Sequence, residues 1–335
     1  MDSPKPTPIP KTAPFTTAAG AFPEFSLRHL WPLLVVLLAG ALCYWPVLHF
    51  PFTNWDDILF IGENPLLQAP GWHSLRRIFT PGGVPQELLF LPLTYLTYML
   101  ESLIHKLQPG AVHGFNLFLH LVNTALVWLV LRHWLRDGRR LAATLGAALF
   151  LLHPIQVEAV VWAMGRKDLL ATCLGLLALL AWQRQENQRE AHHWLGLALL
   201  GYGAACLAKP SLIVLPGVLM LSSWYRKGRL EAHVWGNQIP FILVGLLIYM
   251  MNHLVPHPSL PGAPSLLFRL LTVPVVVAEW CLRLLLVQPP VPFYSWPPET
   301  ALGVMGWTAM VVLALGAGGL TWLLWRSRPA LHLGV

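Results

Sequence analysis

Long apolar runs separated by short polar segments make up most of the chain from residue 30 onward. A helix rises about 1.5 Å per residue and the hydrocarbon core of a bilayer is about 30 Å thick, so runs of this kind are typical of transmembrane helices. The pattern predicts an all-α, polytopic integral membrane protein with about eight crossings, or nine or ten on alternative counts. The predicted crossings are 30–48, 113–131, 141–152, 169–182, 194–207, 212–224, 240–254 and 302–325.

Two further apolar runs are predicted not to cross independently. In the run 88–105, polar residues recur at helical spacing, namely Thr94, Thr97, Glu101 and His105. One polar stripe is typical of an amphipathic helix that lies flat or packs against protein. The run 266–287 holds three charged residues and a proline, namely Arg269, Pro274, Glu279 and Arg283. We expect this run to be a tilted or re-entrant element.

The basic residues cluster in the loops, and this clustering sets the predicted orientation. The densest group follows the run 113–131 and consists of Arg132, Arg136, Arg139 and Arg140. Cytoplasmic loops carry an excess of Lys and Arg, so this loop is predicted to be cytoplasmic and the loop after the first crossing external. The net charge of +7 is then loop charge. It does not indicate a nucleic-acid partner.

Composition supports the membrane assignment and sets the domain limits. The 335 residues are 56% hydrophobic and 11% charged, unlike a soluble domain. Residues 1–27, rich in Pro, Thr and Ala, are predicted to form a flexible cytoplasmic tail. Residues 28–326 form the membrane domain, and 327–335 a short tail. The four cysteines, all in apolar segments, show no ligand spacing and no disulfide framework.

Candidate chemistry begins with two adjacent acids directly after the first crossing, Asp56 and Asp57. Carboxylates beside a membrane span usually face water or a protein cavity. The predicted topology collects further charges on the same external side, namely Glu63, Arg76, Arg77, Glu158, Arg166, Lys167, Asp168 and Lys209. A mixed set of this kind suits a charged substrate held at the bilayer surface. Simpler interpretations remain open: an Asp can cap a helix that starts at Ile58, and Lys209 can extend to the interface.

Five motifs, occurring in order, resemble those of the class C glycosyltransferases. They are Asn-Trp-Asp-Asp-Ile-Leu-Phe-Ile-Gly-Glu-Asn-Pro-Leu-Leu ending at Leu67, Leu-Pro-Leu-Thr-Tyr-Leu-Thr-Tyr ending at Tyr98, His-Pro-Ile-Gln-Val-Glu-Ala-Val-Val-Trp ending at Trp162, Gly-Arg-Lys-Asp-Leu-Leu ending at Leu170, and Ala-Lys-Pro-Ser ending at Ser211. In particular, the chain resembles bacterial relatives of the transmembrane O-mannosyltransferases with tetratricopeptide repeats. The resemblance covers about residues 31–221.

The resemblance implies an inverting enzyme that transfers a sugar from a polyprenyl-phosphate carrier to a protein or glycan hydroxyl on the non-cytoplasmic face. It places the protein in the bacterial inner membrane. Two departures stand out: Leu91 occupies the position before the Pro-Leu-Thr motif where relatives usually have Arg, and no repeat domain follows residue 326.

The residue types at the matched positions suggest roles in such a transfer. A carboxylate takes the acceptor proton and cations hold the leaving phosphate. The catalytic candidates are Asp56, Asp57 and Glu158, and the phosphate-binding candidates are Arg166, Lys167 and Lys209. The supporting candidates are Trp55, His153 and Asp168. A divalent metal ion, Mg²⁺ or Mn²⁺, bridging Asp56 and Asp57 is left open.

Two other functions fit parts of the pattern. A transporter or flippase for a lipid-linked sugar would carry ionisable residues inside its spans, for which Glu279 is the main candidate. A catalytically inactive scaffold is the third interpretation, suggested by Leu91 and the absent repeats.

Overall fold

The computed structural model describes residues 30–54, 56–135, 139–188, 192–256, 266–286 and 299–326, and these residues contain helices and no strands. The α-helices are α1 (Trp31–Tyr44), α2 (Pro65–Gln68), α3 (Trp72–Ile78), α4 (Pro92–His105), α5 (Pro109–Trp134), α6 (Arg140–Leu152), α7 (Val157–Val161), α8 (Arg166–Asn187), α9 (His193–Ala208), α10 (Leu215–Lys227), α11 (Ala232–His253), α12 (Leu266–Leu286) and α13 (Glu299–Arg326). Short 3₁₀ segments join several of them, namely Trp45–His49, Pro154–Gln156, Ala163–Gly165 and Pro210–Val214, and a π-helical turn covers Ile58–Gly62.

The predicted all-α membrane architecture is confirmed. Three described stretches are long and apolar enough to cross a bilayer: α1 with the following 3₁₀ segment, α5 and α11. A fourth crossing results if α6 and Pro154–Val161, bent by 49°, form one span. Every predicted crossing coincides with a described helix, but several are too short or too polar to qualify by length and composition alone. The count of about eight therefore stays a prediction.

The two runs predicted not to cross differ from the clear spans in the described structure. Helix α4 has 14 residues, and two residues of its polar stripe, Thr94 and Glu101, are buried against protein. Helix α12 has 21 residues and is long enough to span a bilayer. It carries too many charged residues to qualify as an apolar membrane span. It packs beside α13. Neither helix qualifies as an independent apolar span.

Helix α5 is the centre of the membrane region because it packs against α1, α6 and α8. Polar side chains fix its neighbours. The Trp128 indole N–H donates to the Thr144 hydroxyl on α6 at 3.1 Å, and the Asn123 amide donates to the Leu169 carbonyl on α8 at 2.9 Å. Gly40 lets α1 approach α6, since a Cβ there would lie 2.4 Å from Leu151. Small residues allow such close helix packing in membranes.

A second core, outside the helix bundle, supports the candidate site. Ile61, Leu67, Ile78 and Tyr98 are almost fully buried there, together with Ala163 before α8. The Asn64–Pro65 pair starts α2 in the expected way: Pro65 needs no N–H in the first turn, and the Asn64 side chain accepts from the Leu66 N–H at 3.0 Å. The buried residues of this second core hold α2, α3 and α4 against the start of α8.

Several sequence-based predictions concern the ends of the chain and its cysteines. The predicted tails, 1–27 and 327–335, lie outside the described residues, as does Trp55. All four cysteines are free; Cys173 and Cys206 are buried, whereas Cys43 and Cys281 are exposed on helix surfaces. Trp31 and Trp45 are more than half exposed at the two ends of the first crossing. This is the placement expected for interfacial tryptophans.

Candidate functional site

Asp57 is fully buried and joins two distant parts of the chain. Its Oδ2 accepts hydrogen bonds from the Thr53 N–H at 3.0 Å and the Thr53 hydroxyl at 2.7 Å. Its Oδ1 accepts from the Met164 N–H at 3.0 Å. Its side chain makes no capping hydrogen bond to the helical turn that begins at Ile58. Asp57 therefore anchors the loop after the first crossing to the segment before α8.

Asp56 differs from its neighbour in exposure. It is half-buried, and its carboxylate receives no hydrogen bond within the described part of the chain. It lies close enough to Lys167 and to the Tyr95 hydroxyl to influence the pKa of each. Adjacent residues point in different directions, so one acid of the pair is structural and the other is available.

Lys167 stands at the centre of the charged residues. It lies at the first turn of α8, before the apolar part, and its Nζ is 4.3 Å from the centre of the Trp162 ring. Burial lowers the pKa of the Lys167 ammonium. Nearby Asp168, Asp56 and Glu158 oppose this effect, while Lys209 adds to it. The structure thus brings together residues from four separate sequence motifs around one ammonium group.

The remaining members of this charged group are accessible. Lys209, at the end of α9, forms an ion pair with Asp168, and both side chains are partly exposed. Glu158 is exposed on α7. The Thr94 hydroxyl donates to the Ala208 carbonyl at 3.0 Å, which holds α4 beside Lys209. Two cations and three carboxylates can therefore face one substrate here.

Arg166 occupies a different position from the other phosphate-binding candidates, because it is completely buried. Its Nε donates to the Asn116 Oδ1 at 2.9 Å, and its Nη2 donates to the Val112 carbonyl at 2.8 Å. Its Nη1 is 2.8 Å from Glu101 Oε1. The guanidinium also lies over the rings of Tyr98 and Phe115. All its nitrogen groups thus face protein, which makes it a structural centre for α4, α5 and α8.

His153 is also held by protein contacts. Its Nδ1 accepts from the Ile155 N–H at 3.2 Å, which caps the 3₁₀ turn after α6. This leaves Nε2 to donate to the Leu284 carbonyl on α12 at 3.0 Å. The side chain joins α6 to α12 and takes no part in the charged group around Lys167.

Sequence reasoning missed the residues that position this group. Tyr98 donates to the Ala163 carbonyl at 2.7 Å, and the Asn116 amide lies 3.1 Å from the carbonyls of Trp162 and Ala163. Both side chains hold the turn before α8. Asn116 lies within an apolar run, and a polar residue at such a position is a signal for an internal partner. Leu91, in place of the usual Arg, is buried in the apolar core.

Gly165 allows the tight turn that leads into α8, and its replacement gives a sharp prediction. A Cβ at this position would lie 2.3 Å from the Ala159 carbonyl oxygen, which is backbone and can move only with α7. We expect Gly165→Ala to destabilise the protein by about 1–3 kcal/mol and to displace Lys167. Gly217→Ala is the control, since its Cβ would contact nothing within 4 Å. Equal melting temperatures for the two variants would contradict the prediction.

Glu87, in the segment between α3 and α4, is a buried acid near the site. Its Oε1 accepts from the Gly82 N–H at 2.7 Å, and its Oε2 has no hydrogen-bond partner among the described residues. Burial raises the pKa of Glu87 to about 7, and the Gly82 hydrogen bond only partly offsets this. The folded chain therefore binds more protons than the unfolded chain between the ordinary carboxyl pKa of 4.5 and about 7. Stability falls as the pH rises through that window.

Replacement of Glu87 by the uncharged isostere tests this pH dependence. We expect Glu87→Gln to melt at the wild-type temperature near pH 5 and on the order of 5 °C higher near pH 8, where the wild type must bury a charge. Exposed Glu63→Gln is the matched control and is expected to show no such difference. Parallel melting curves for wild type and Glu87→Gln across this pH range would argue against a buried, neutral Glu87.

The pair Asp56 and Asp57 offers few free ligand atoms for a divalent metal ion. Both carboxylate oxygens of Asp57 already accept hydrogen bonds from N–H and O–H groups. Among the described residues, no group of three or more His, Cys, Asp or Glu side chains is placed to hold a metal ion. The pair Asp56–Asp57 therefore does not fit a bridged divalent ion.

The fold and this site define a polytopic α-helical membrane protein with a mixed-charge site at one end of its bundle. Its similarity to known proteins points to one class. The chain is 34% identical to protein O-mannosyl-transferase TMTC1 of Homo sapiens over 161 residues, 45% of this chain and 18% of the relative. It is 29% identical to protein O-mannosyl-transferase TMTC3 of Homo sapiens over 195 residues, 55% of this chain and 21% of the relative.

The alignment with a third relative is longer. Protein O-mannosyl-transferase Tmtc2 of Drosophila melanogaster is 33% identical over 223 residues, 61% of this chain and 23% of the relative. The chain spans about a fifth of the length of the curated relatives it matches. No protein-family model matches the chain, and no solved structure does. The motifs indicated a resemblance to transmembrane O-mannosyltransferases. Sequence alignment over about half of the chain supports it.

Proposed function

We propose that this chain is a membrane glycosyltransferase that transfers a sugar from a polyprenyl-phosphate carrier to a hydroxyl group of a protein or glycan. One observation carries the proposal: the half-buried carboxylate of Asp56 lies close enough to Lys167 to influence its pKa, as do Lys209 and Glu158. Similarity to protein O-mannosyl-transferases over about half the chain favours this chemistry over other reactions of a mixed-charge site.

The reaction is a single inverting displacement. The acceptor oxygen attacks the anomeric carbon of the sugar, and its proton passes to Asp56. The bond from that carbon to the phosphate oxygen breaks, and the polyprenyl phosphate leaves with the electron pair. A positioned general base typically contributes about 10²–10⁴-fold to such a rate. Lys167 and Lys209 supply positive charge where the leaving phosphate gains negative charge.

The other predicted site residues take supporting roles in this proposal. Asp168 sets the position of Lys209 through their ion pair. Exposed Glu158 is assigned to the acceptor side, where a carboxylate can accept a hydrogen bond from a sugar or peptide group. Asp57 and Arg166 position the loop and the start of α8. His153, which joins α6 to α12, lies outside the reaction.

We assign the site to the non-cytoplasmic face of the membrane, because the basic loop between α5 and α6 belongs on the cytoplasmic side. The bacterial inner membrane is proposed from the motif resemblance alone. Of that basic group, Arg132 lies in the last turn of α5, and Arg139 and Arg140 lie at the start of α6. One crossing, α5, then separates them from the group around Lys167.

A transporter or flippase was suggested by one ionisable residue inside a predicted membrane element, and the structure pairs that residue with another. Glu279, its main candidate, lies 2.7 Å from Arg283 one turn further along α12. A pair at this spacing satisfies its own charge within the helix. No second function is therefore proposed.

Reconstitution tests the proposed reaction directly. The purified chain in proteoliposomes is given a radiolabelled polyprenyl-phosphate sugar and hydroxyl-bearing peptides or glycans, and we expect label to pass to the acceptor with inversion at the anomeric carbon. In oriented membrane vesicles, transfer is expected only when the acceptor is on the non-cytoplasmic side. Equal transfer by the chain and by protein-free liposomes across a panel of such donors would refute the proposal.

Lys209 gives a more specific prediction. Lys209→Ala removes one of the two accessible cations from the proposed phosphate site, so we expect a roughly tenfold weaker donor affinity, within the usual range for a charge-assisted contact. Lys106→Ala is the control, because Lys106 is an exposed lysine at the other end of α4. An unchanged donor KM in Lys209→Ala would separate Lys209 from the phosphate.

A further inference from the structure

A groove of about 490 Å³ opens between α4 and α5, and no step of the proposed transfer uses it. Its α4 wall includes Thr97, Glu101 and His105, which belong to the polar stripe seen in the sequence. Its α5 wall includes Ala111, Phe115 and Phe118. The volume falls in the range of small-molecule sites, and the lining is mainly apolar. The ligand must therefore be mostly apolar.

Glu101 provides an unmet polar group in this groove. Its side chain is only 9% exposed, and its Oε1 is 2.8 Å from Arg166 Nη1. Its Oε2 is buried without a hydrogen-bond partner in the described part of the chain, and so is His105 Nδ1 one turn later. A buried polar atom without a partner is costly, so two such atoms lining one groove point to a ligand with a polar group.

The chemistry of the missing partner follows from these atoms. A carboxylate oxygen accepts hydrogen bonds, so the ligand must donate one at the depth of Glu101. Arg166 already balances the charge of Glu101, so the unmet requirement is a hydrogen-bond donor for Oε2. An ionised phosphate has no hydrogen to donate, which argues against the head of a polyprenyl phosphate in the groove. A primary ammonium supplies three donors, whereas a quaternary ammonium has no N–H group.

The rim of the groove indicates where this ligand comes from. Ile104 is 81% exposed, and Leu100 and Phe118, which also line the groove, are each at least half exposed. On a membrane protein, large apolar side chains of this kind face lipid chains. Lys106, the residue after His105, is exposed and carries the charge that suits a lipid phosphate. An amphiphile from the bilayer thus fits both the floor and the rim.

We propose that the groove between α4 and α5 binds a membrane phospholipid with a primary-ammonium headgroup, of the phosphatidylethanolamine class. The ammonium donates to Glu101 Oε2, and the chains lie against Ile104 and Phe118. This site is separate from the group around Lys167, and the proposal does not depend on sugar transfer.

Lipid retention by the purified full-length chain tests the proposal. Delipidated protein is incubated with equimolar phosphatidylethanolamine, phosphatidylcholine and polyprenyl phosphate in detergent, and bound lipids are counted by native mass spectrometry. We expect one retained phosphatidylethanolamine per chain, with at least a tenfold preference over phosphatidylcholine. Ala111→Trp fills the groove from α5 and should abolish retention. Leu103→Trp adds the same bulk to an exposed position of α4 outside the groove and should retain the lipid.

A second variant guards against a folding defect in Ala111→Trp. His105→Leu removes the unpartnered Nδ1 without adding bulk, and we expect its preference for phosphatidylethanolamine over phosphatidylcholine to fall at least threefold. Size-exclusion profiles establish that each variant is folded. Equal binding of the two phospholipids by wild type, or undiminished retention by folded Ala111→Trp, would overturn the proposal. Displacement of the phospholipid by polyprenyl phosphate from this groove would overturn it as well.

Discussion

Asp56→Asn is expected to lower the rate of sugar transfer by about 10²–10⁴-fold while leaving the protein as stable as the wild type. The carboxamide is nearly isosteric with the carboxylate but cannot accept the proton of the attacking hydroxyl. No hydrogen bond to the Asp56 carboxylate within the described structure is lost in the exchange. The measurement is kcat in proteoliposomes, with donor KM and melting temperature recorded for the same samples.

The neighbouring acid supplies the matched control for this prediction. Asp57→Asn replaces an oxygen that accepts from an N–H group by an amide nitrogen that can only donate. We therefore expect Asp57→Asn to destabilise the protein, by about 1–3 kcal/mol for a broken buried contact, in addition to reducing activity. Wild-type transfer rates in well-folded Asp56→Asn would remove Asp56 from the mechanism. If Asp57→Asn were as stable as the wild type, Asp57 would not have the structural role that distinguishes it from Asp56.

The sequence predicted the helices well because their signal is one-dimensional. A span must carry its own backbone hydrogen bonds and present apolar side chains along its whole length, so an apolar run marks it directly. The predicted run 113–131 lies inside α5, and the run 141–152 matches α6 to within one residue. The same argument predicts that the run 88–105 lies flat or packs against protein, and Thr94 and Glu101 of its polar stripe are buried.

The division of labour within the site was less accessible to sequence reasoning. Arg166, Lys167 and Asp168 are consecutive and look equivalent in the sequence. They differ only because the first turn of α8 points one of them inward, between α4 and α5, and the others towards the accessible side. Glu101, the partner of Arg166, is 65 residues away along the chain. The sequence around Arg166 and the sequence around Glu101 give no signal that the two side chains form an ion pair.

For a related reason, the sequence indicates both acids of the pair as catalytic candidates. Asp56 and Asp57 share composition, spacing and motif, so only a contact from elsewhere in the fold can distinguish them. That contact is the backbone N–H of Met164, and a backbone group leaves no signature in the sequence. Polar residues inside apolar runs were the one usable signal, and Asn116 at the centre of the Arg166 contacts is the clearest example.

Arg166→Met is the second replacement with a large expected effect, and it separates a structural role from phosphate binding. Removal of the guanidinium leaves Glu101 buried beside an apolar side chain and breaks the contacts to Asn116 and the Val112 carbonyl. Breaking one partner of a buried pair typically costs about 3–5 kcal/mol. We expect a melting temperature at least several degrees lower, on the order of 10 °C, and low yields of folded protein.

Two further variants establish that the loss comes from the unpaired Glu101. In the double variant Glu101→Met with Arg166→Met, no charge remains buried, so we expect it to be more stable than Arg166→Met alone. Arg76→Met removes an exposed arginine in α3 and should change stability by no more than about 0.5 kcal/mol. If Arg166→Met melted like Arg76→Met and instead raised only the donor KM, Arg166 would be a ligand of the donor phosphate, and the buried contacts with Glu101 and Asn116 would not be what holds α4, α5 and α8 together.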